Sequence, residues 1–131
     1  MTETIQTPIA SRRLALVDEP ARSLVVTIGT PRLDPEPGTW ACEFHIEGIP
    51  DDRIRRGYGV DSLQALQSAI QGVKSTIAES GLVASWNSEP GDIGIPATVP
   101  TYEGSGFAQR IELMIEREVV DFALANPPKR T

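Results

Sequence analysis

Two periods of hydrophobic and polar residues divide the chain into a strand-rich first half and a helix-bearing second half. Arg12 to Val17 and Arg22 to Ile28 are short runs rich in Leu and Val, separated by Asp18-Glu19-Pro20-Ala21. A turn signal between two such runs predicts a hairpin, with Leu24, Val26 and Ile28 on one face of its second strand. The clearest alternation follows. Trp40, Cys42, Phe44 and Ile46 interleave with Ala41, Glu43, His45 and Glu47. Successive strand residues point to opposite faces, so the first set lines a core and the second faces water or a partner. A slip of one residue would bury both glutamates, which holds the register. Arg53 to Val60 predicts a further strand, weakened by Gly57 and Gly59 and therefore placed at an edge or a bulge. Leu82 to Trp86 is a candidate for one more short strand.

The period then changes. Asp61 is a favoured N-cap, and Gln64 lies where a capping box needs it. Leu63, Leu66, Ile70, Val73 and Ile77 recur at spacings of three and four, with Ala69 beside them, and Gly81 supplies a left-handed end. Residues 87–106 contain seven Gly and Pro residues, a long loop of the kind that is usually functional or mobile. A second helix is predicted over Phe107 to Ala125, with a stripe of Phe107, Ile111, Met114, Ile115, Val119 and Phe122. Residues 1–10 read as a flexible end, and residues 126–131 as a flexible tail beginning Asn126-Pro127-Pro128. The expected architecture is α+β: one domain over 11–125, with an antiparallel sheet of four to five strands. The 61–80 helix covers the Trp40/Cys42/Phe44/Ile46 face. The C-terminal helix either completes that layer or extends to another subunit.

Composition narrows the function classes. The chain has 131 residues and a net charge of −6, which argues against a protein that mainly holds nucleic acid. One Cys and one His exclude an internal disulfide and a Cys/His zinc cage. The N-terminus lacks the pattern of a signal peptide, and no window approaches a membrane span. The expectation is therefore a cytoplasmic protein without a membrane partner. Nothing in the sequence calls for a cofactor.

The run Trp40 to Gly48, the run Gly59-Val60-Asp61-Ser62-Leu63-Gln64-Ala65-Leu66, Trp86 and Gly94-Ile95-Pro96 together resemble a small bacterial family. That family has a Trp-x-Cys strand, a Gly-x-Asp-x-x-Gln-Ala-Leu helix start and a Gly-aromatic-Pro ending, and is a domain of unknown function. Ile95 stands where the family tends to carry an aromatic residue. The resemblance covers about residues 12–96. It implies that this region is one unit in a bacterial protein, and it implies no activity.

Few residues suggest chemistry. Cys42 and His45 lie three apart on one strand and so point to opposite faces, which rules out a nucleophile–base pair. Cys42 is read as a small core residue, and His45 as solvated or at an interface. Glu43, His45 and Glu47 share a face at spacings of about 7 Å, within the repertoire of a metal or acid–base site, but an exposed strand face carries the same pattern without either. No metal or catalytic set is assigned. Arg53, Arg55 and Arg56 precede Gly57-Tyr58-Gly59 and a helix start, which together resemble part of an anion site. Asp61 would occupy the free amides there, and protection of an edge strand is the stronger reading. The candidate ligand set is therefore His45, Arg53, Arg55, Arg56 and Tyr58. Residues 31–52 hold six acidic residues against Arg32 alone, a patch able to steer a basic partner.

The leading expectation is a non-catalytic protein-interaction module, in one form an antidote that covers a basic toxin or nuclease. The alternatives are a small-ligand-binding domain or enzyme built on the arginine region, and a structural homo-oligomer such as a homodimer.

Overall fold

The computed structural model describes residues 5, 7–36, 38–96 and 105–127. They form an α+β arrangement in chain order: β1 (Pro8–Leu16), β2 (Ser23–Gly29), β3 (Arg32–Leu33), β4 (Trp40–Glu47), β5 (Arg55–Gly59), α1 (Ser62–Ser80), β6 (Ala84–Ser85) and α2 (Ser105–Ala125). The sheet is antiparallel and has six strands, more than the four to five expected, because β3 and β6 are two-residue pairings. Where the pattern suggested one domain over 11–125, the chain divides into two compact units, Met1–Pro96 and Ala97–Thr131.

The hairpin forms as expected but begins earlier. Pro8 pairs with Gly29 across a bulge, and Thr7 accepts a hydrogen bond from the Thr30 amide at 2.9 Å, so residues 8–10 are strand rather than loose end. Strand β4 is interior. It pairs with β2 through Ile28↔Phe44 to Val25↔Glu47 on one side and with β5 through Phe44↔Arg55 to Trp40↔Gly59 on the other. Its even-numbered residues Cys42, Phe44 and Ile46 join Leu14, Leu16, Leu24 and Val26 in the core, all at 4% exposure or less. Full burial of each aliphatic or aromatic side chain stabilises by about 1.5–3 kcal/mol, so this face fixes the sheet's register.

Helix α1 starts and stops where its caps dictate. Asp61 Oδ1 accepts from the Gln64 amide at 2.7 Å, Gln64 Oε1 accepts from the Val60 amide at 2.7 Å, and Gly81 closes the helix at φ +76°. Its buried line differs from the expected stripe. Ala65, Ala69, Val73 and Ile77 face the core, while Leu63 is 63% exposed. The rotation follows from close approach. A Cβ on Gly57 would lie 2.3 Å from the Ala69 nitrogen, and one on Gly59 would lie 2.5 Å from the Ala65 nitrogen. The β5 glycines and the helix alanines therefore let the two backbones meet, and the larger Leu66 and Ile70 flank that contact. Gly72 makes room for the Phe44 ring in the same way, since a Cβ there would lie 2.6 Å from Phe44 Cζ. Gly57 and Gly59 thus have a packing purpose that neither a weakened strand nor a ligand cradle captures.

Residues 87–96, the described first half of the expected long loop, form a fixed strap. The Trp86 amide donates to Asp92 O at 2.9 Å, and the Gly91 amide donates to Ala84 O at 3.0 Å. Arg12 Nη1 then donates to both Ile93 O and Gly94 O at 3.1 Å, while its guanidinium lies 4.2 Å from the centre of the Trp86 ring. From α1, Gln71 donates to Pro96 O and Lys74 to Ile95 O. The strap's own Ile93 is buried in the core cluster, so the segment adds to the core.

Helix α2 spans 21 residues and belongs to the second unit. Its expected apolar stripe is largely uncovered. Phe122 is 66% exposed, and Met114, Ile115 and Val119 are also exposed.

Candidate functional site

The candidate ligand set divides three ways. Arg53 and Arg55 turn back to Asp51. Their nitrogens lie 3.5 and 3.4 Å from Asp51 Oδ2, and Arg55 Nη1 donates to Asp51 O at 3.0 Å. The turn Ile49-Pro50-Asp51 and the end of α1 form their surroundings, where Arg55 lines a hollow with Thr76 and Glu79. Arg56 and Tyr58 point to the other face of β5, and Arg56 Nη2 pairs with Glu43 Oε2 at 3.2 Å across the ladder. They share a hollow of about 530 Å³ with Arg32, Asp34 and Glu43. Two guanidiniums and two carboxylates balance there, so the hollow offers an anion little net attraction. Exposed pairs of this kind contribute only up to about 1 kcal/mol each.

His45, expected to be solvated or at an interface, is not solvated. It shares the outer face of β4 with Glu43, yet it is only 8% exposed and its Nε2 has no hydrogen-bond partner among the described residues. It stands opposite Thr27 on β2. On the same face Ile5 lies over Gly29, 2.8 Å from where a Cβ at Gly29 would sit. His45 is thus separated from Arg53 and Arg55 at the turn, and it does not line the Arg56/Tyr58 hollow.

Cys42 is fully buried, and its Sγ–H donates to Gly29 O at 3.2 Å. Burial, and secondarily the charge of Glu43, raises the thiol's pKa above its ordinary value, so the unreactive protonated form is favoured. Among the described residues, no group of three or more His, Cys, Asp or Glu side chains is placed to hold a metal ion. No described helix is long and apolar enough to cross a membrane.

Two features escaped the sequence reading. Arg12 stands on the core-facing parity of β1, in line with Leu14 and Leu16, and a charge in a buried register was a legible signal. It lines an apolar cleft of about 240 Å³ between the sheet, α1 and the strap. The second feature is on α2, where Leu113, Val120 and Leu124 recur at spacings of seven and four, on the side away from the predicted stripe, and all three are exposed.

The family described as a domain of unknown function (DUF6968) matches the chain over residues 10–97. The chain belongs to this family. The match begins in β1 and ends one residue beyond the strap, so it coincides closely with the first compact unit and leaves α2 outside. No curated protein and no solved structure matches the chain. Membership in DUF6968 takes in the sheet, α1 and the strap together, and it assigns them no chemistry.

Proposed function

We propose that this DUF6968 protein is a non-catalytic protein-interaction module that docks its partner through α2. The exposed apolar surface of α2 carries the reading. At 100° per residue, Phe107, Met114, Ile115, Val119 and Phe122 gather on one side and Leu113, Val120 and Leu124 on the opposite side. All eight are exposed, from 38% at Phe107 to 77% at Leu124. Exposed apolar surface on both sides of one helix is characteristic of interaction sites, since its burial is what a partner can supply. The polar residues of the helix are mostly acidic: Glu112, Glu116, Glu118 and Asp121 against Arg110 and Arg117. The matching surface is an apolar groove with a basic rim, the geometry of a helix laid in a groove. An antidote covering a basic toxin or nuclease is one form of this reading. The arginine region supports it indirectly, because Arg53, Arg55 and Arg56 are engaged by Asp51 and Glu43.

The experiment is affinity capture with the full chain, with a Leu113→Glu/Val120→Glu variant on one side of α2 and with a Val119→Glu/Phe122→Glu variant on the other, combined with the solution mass of each. A partner retained by the parent and lost by either variant, with the thermal transition of the sheet unit unchanged, supports the reading. A mass that doubles with concentration in the parent alone identifies the partner as a second copy, the homo-oligomer form. A monomer that captures nothing, or capture indifferent to both variants, overturns docking through α2.

A further inference from the structure

We infer that the cleft beneath the strap is a binding site for a small amphiphilic monocarboxylate, with the apolar tail in the cleft and the carboxylate on Arg12. The site goes beyond α2 docking and shares no residue with it. Its origin lies in the topology. Helix α1 packs on β4 and β5, so the core-facing side of β1 is covered by the strap instead. The polar contacts between strap and helix are side chains reaching to strap carbonyls, Gln71 to Pro96 O and Lys74 to Ile95 O, at 3.0 and 3.1 Å. The gap they leave is lined by Leu14, Val26, Ile28, Ile70 and Ile95. Its volume of about 240 Å³ exceeds the roughly 150 Å³ of an apolar cavity known to take up benzene. Ligands of about eight carbons are therefore in range.

Arg12 gives the cleft its charge preference. Its guanidinium is partly buried and stacks on Trp86, and Nη1 is taken by two strap carbonyls. Carbonyls and an indole face stabilise a cation without neutralising it. Among the described residues no carboxylate lies within ion-pair distance of Arg12, whereas Arg22, Arg53, Arg55 and Arg56 each have one. A planar guanidinium at the wall of an apolar space is suited to a carboxylate, which accepts two parallel N–H bonds that no amine or alcohol can match.

The test titrates octanoate into the full chain and follows backbone and methyl resonances. Octan-1-ol, octylammonium and acetate serve as controls. The expected result is saturable shifts at Ile28, Ile70 and Ile95, with octanoate binding at least about tenfold more tightly than octanol. Octylammonium and acetate should give no saturable shift. Ala10→Phe, at a lining position of the cleft that makes none of the hydrogen bonds holding the strap, should weaken octanoate at least tenfold while leaving the melting transition in place. Arg12→Gln should lower octanoate to the affinity of octanol. Should Arg12→Gln loosen the strap and remove octanol binding as well, Ala10→Phe decides alone. Equal affinity for octanoate and octanol, absence of saturation at millimolar octanoate, or octanoate binding indifferent to Ala10→Phe overturns the site.

Discussion

Replacing Gly57 by Ala should be among the most damaging single-methyl additions to this protein. The new Cβ would lie 2.3 Å from Ala69 N, 2.6 Å from Ser68 C and 2.8 Å from Ala69 Cα. Comfortable carbon contacts are about 3.5–4.0 Å, so α1 must retreat from β5 by roughly 1 Å. All the obstructing atoms are backbone, and no side-chain rotation relieves them. Retreat opens a gap along Ala65, Ala69 and Val73, each 0% exposed, and a gap of 0.5–1 Å forfeits about a quarter to a half of each contact. Overpacking of this kind costs about 1–3 kcal/mol or more. Against it stands a gain of about 0.5–1 kcal/mol from removing a glycine from a strand. Backbone rather than side-chain obstruction places the cost at the upper end of that range, so the expected net loss is about 2–2.5 kcal/mol. For a unit of this size that lowers the melting temperature by at least about 10 °C. Thermal and urea unfolding followed by circular dichroism measure it. Gly81→Ala is the control, because its Cβ meets nothing within 4 Å and only the φ of +76° opposes it, at about 1–2 kcal/mol. A Gly57→Ala protein within about 0.5 kcal/mol of the parent, or less affected than Gly81→Ala, would refute the close-approach argument.

Three further outcomes follow from the same structure. Asp61→Ala removes the oxygen that accepts from the Gln64 amide and should cost about 1 kcal/mol in urea unfolding, with Asp61→Asn losing much less. Gly94→Ala places a methyl 2.5 Å from Trp86 Cε3 at φ +74° and should displace the strap, seen as altered Trp86 fluorescence and a loss above 1 kcal/mol. Cys42 should resist a thiol reagent in the folded protein and react at full rate in denaturant. Its folded pKa is raised, so the unfolded thiol ionises first as pH rises, and stability contributed by Cys42 is present at neutral pH and falls once pH passes the thiol's ordinary value. A folded-state rate equal to that in denaturant contradicts its burial.

Much of the framework was legible before any coordinates. The alternation from Trp40 to Glu47 specifies one apolar face because a strand's side-chain period is two, and Asp61, Gln64 and Gly81 mark the helix ends through local hydrogen bonds and one left-handed residue. These signals are local, so each is complete within a few residues. The rotation of α1 onto Ala65 and Ala69 was not legible, because the deciding partner is Gly57, twelve residues from Ala69, and a glycine has no side chain to announce its neighbour. His45 reads as polar and outward by parity, and parity does hold. Its burial is a tertiary outcome that alternation does not encode. The arginines read as one basic cluster, yet their separation onto Asp51 and Glu43 depends on where the 49–54 turn ends and β5 begins. The Arg12 cleft joins β1, α1 and a strap more than eighty residues away in the chain. The sequence by itself determined which residues seek burial and where helices begin and end, since those are properties of short segments. The tertiary structure alone decided which faces meet and which charges find partners, because both depend on segments brought together only when the sheet closes its order.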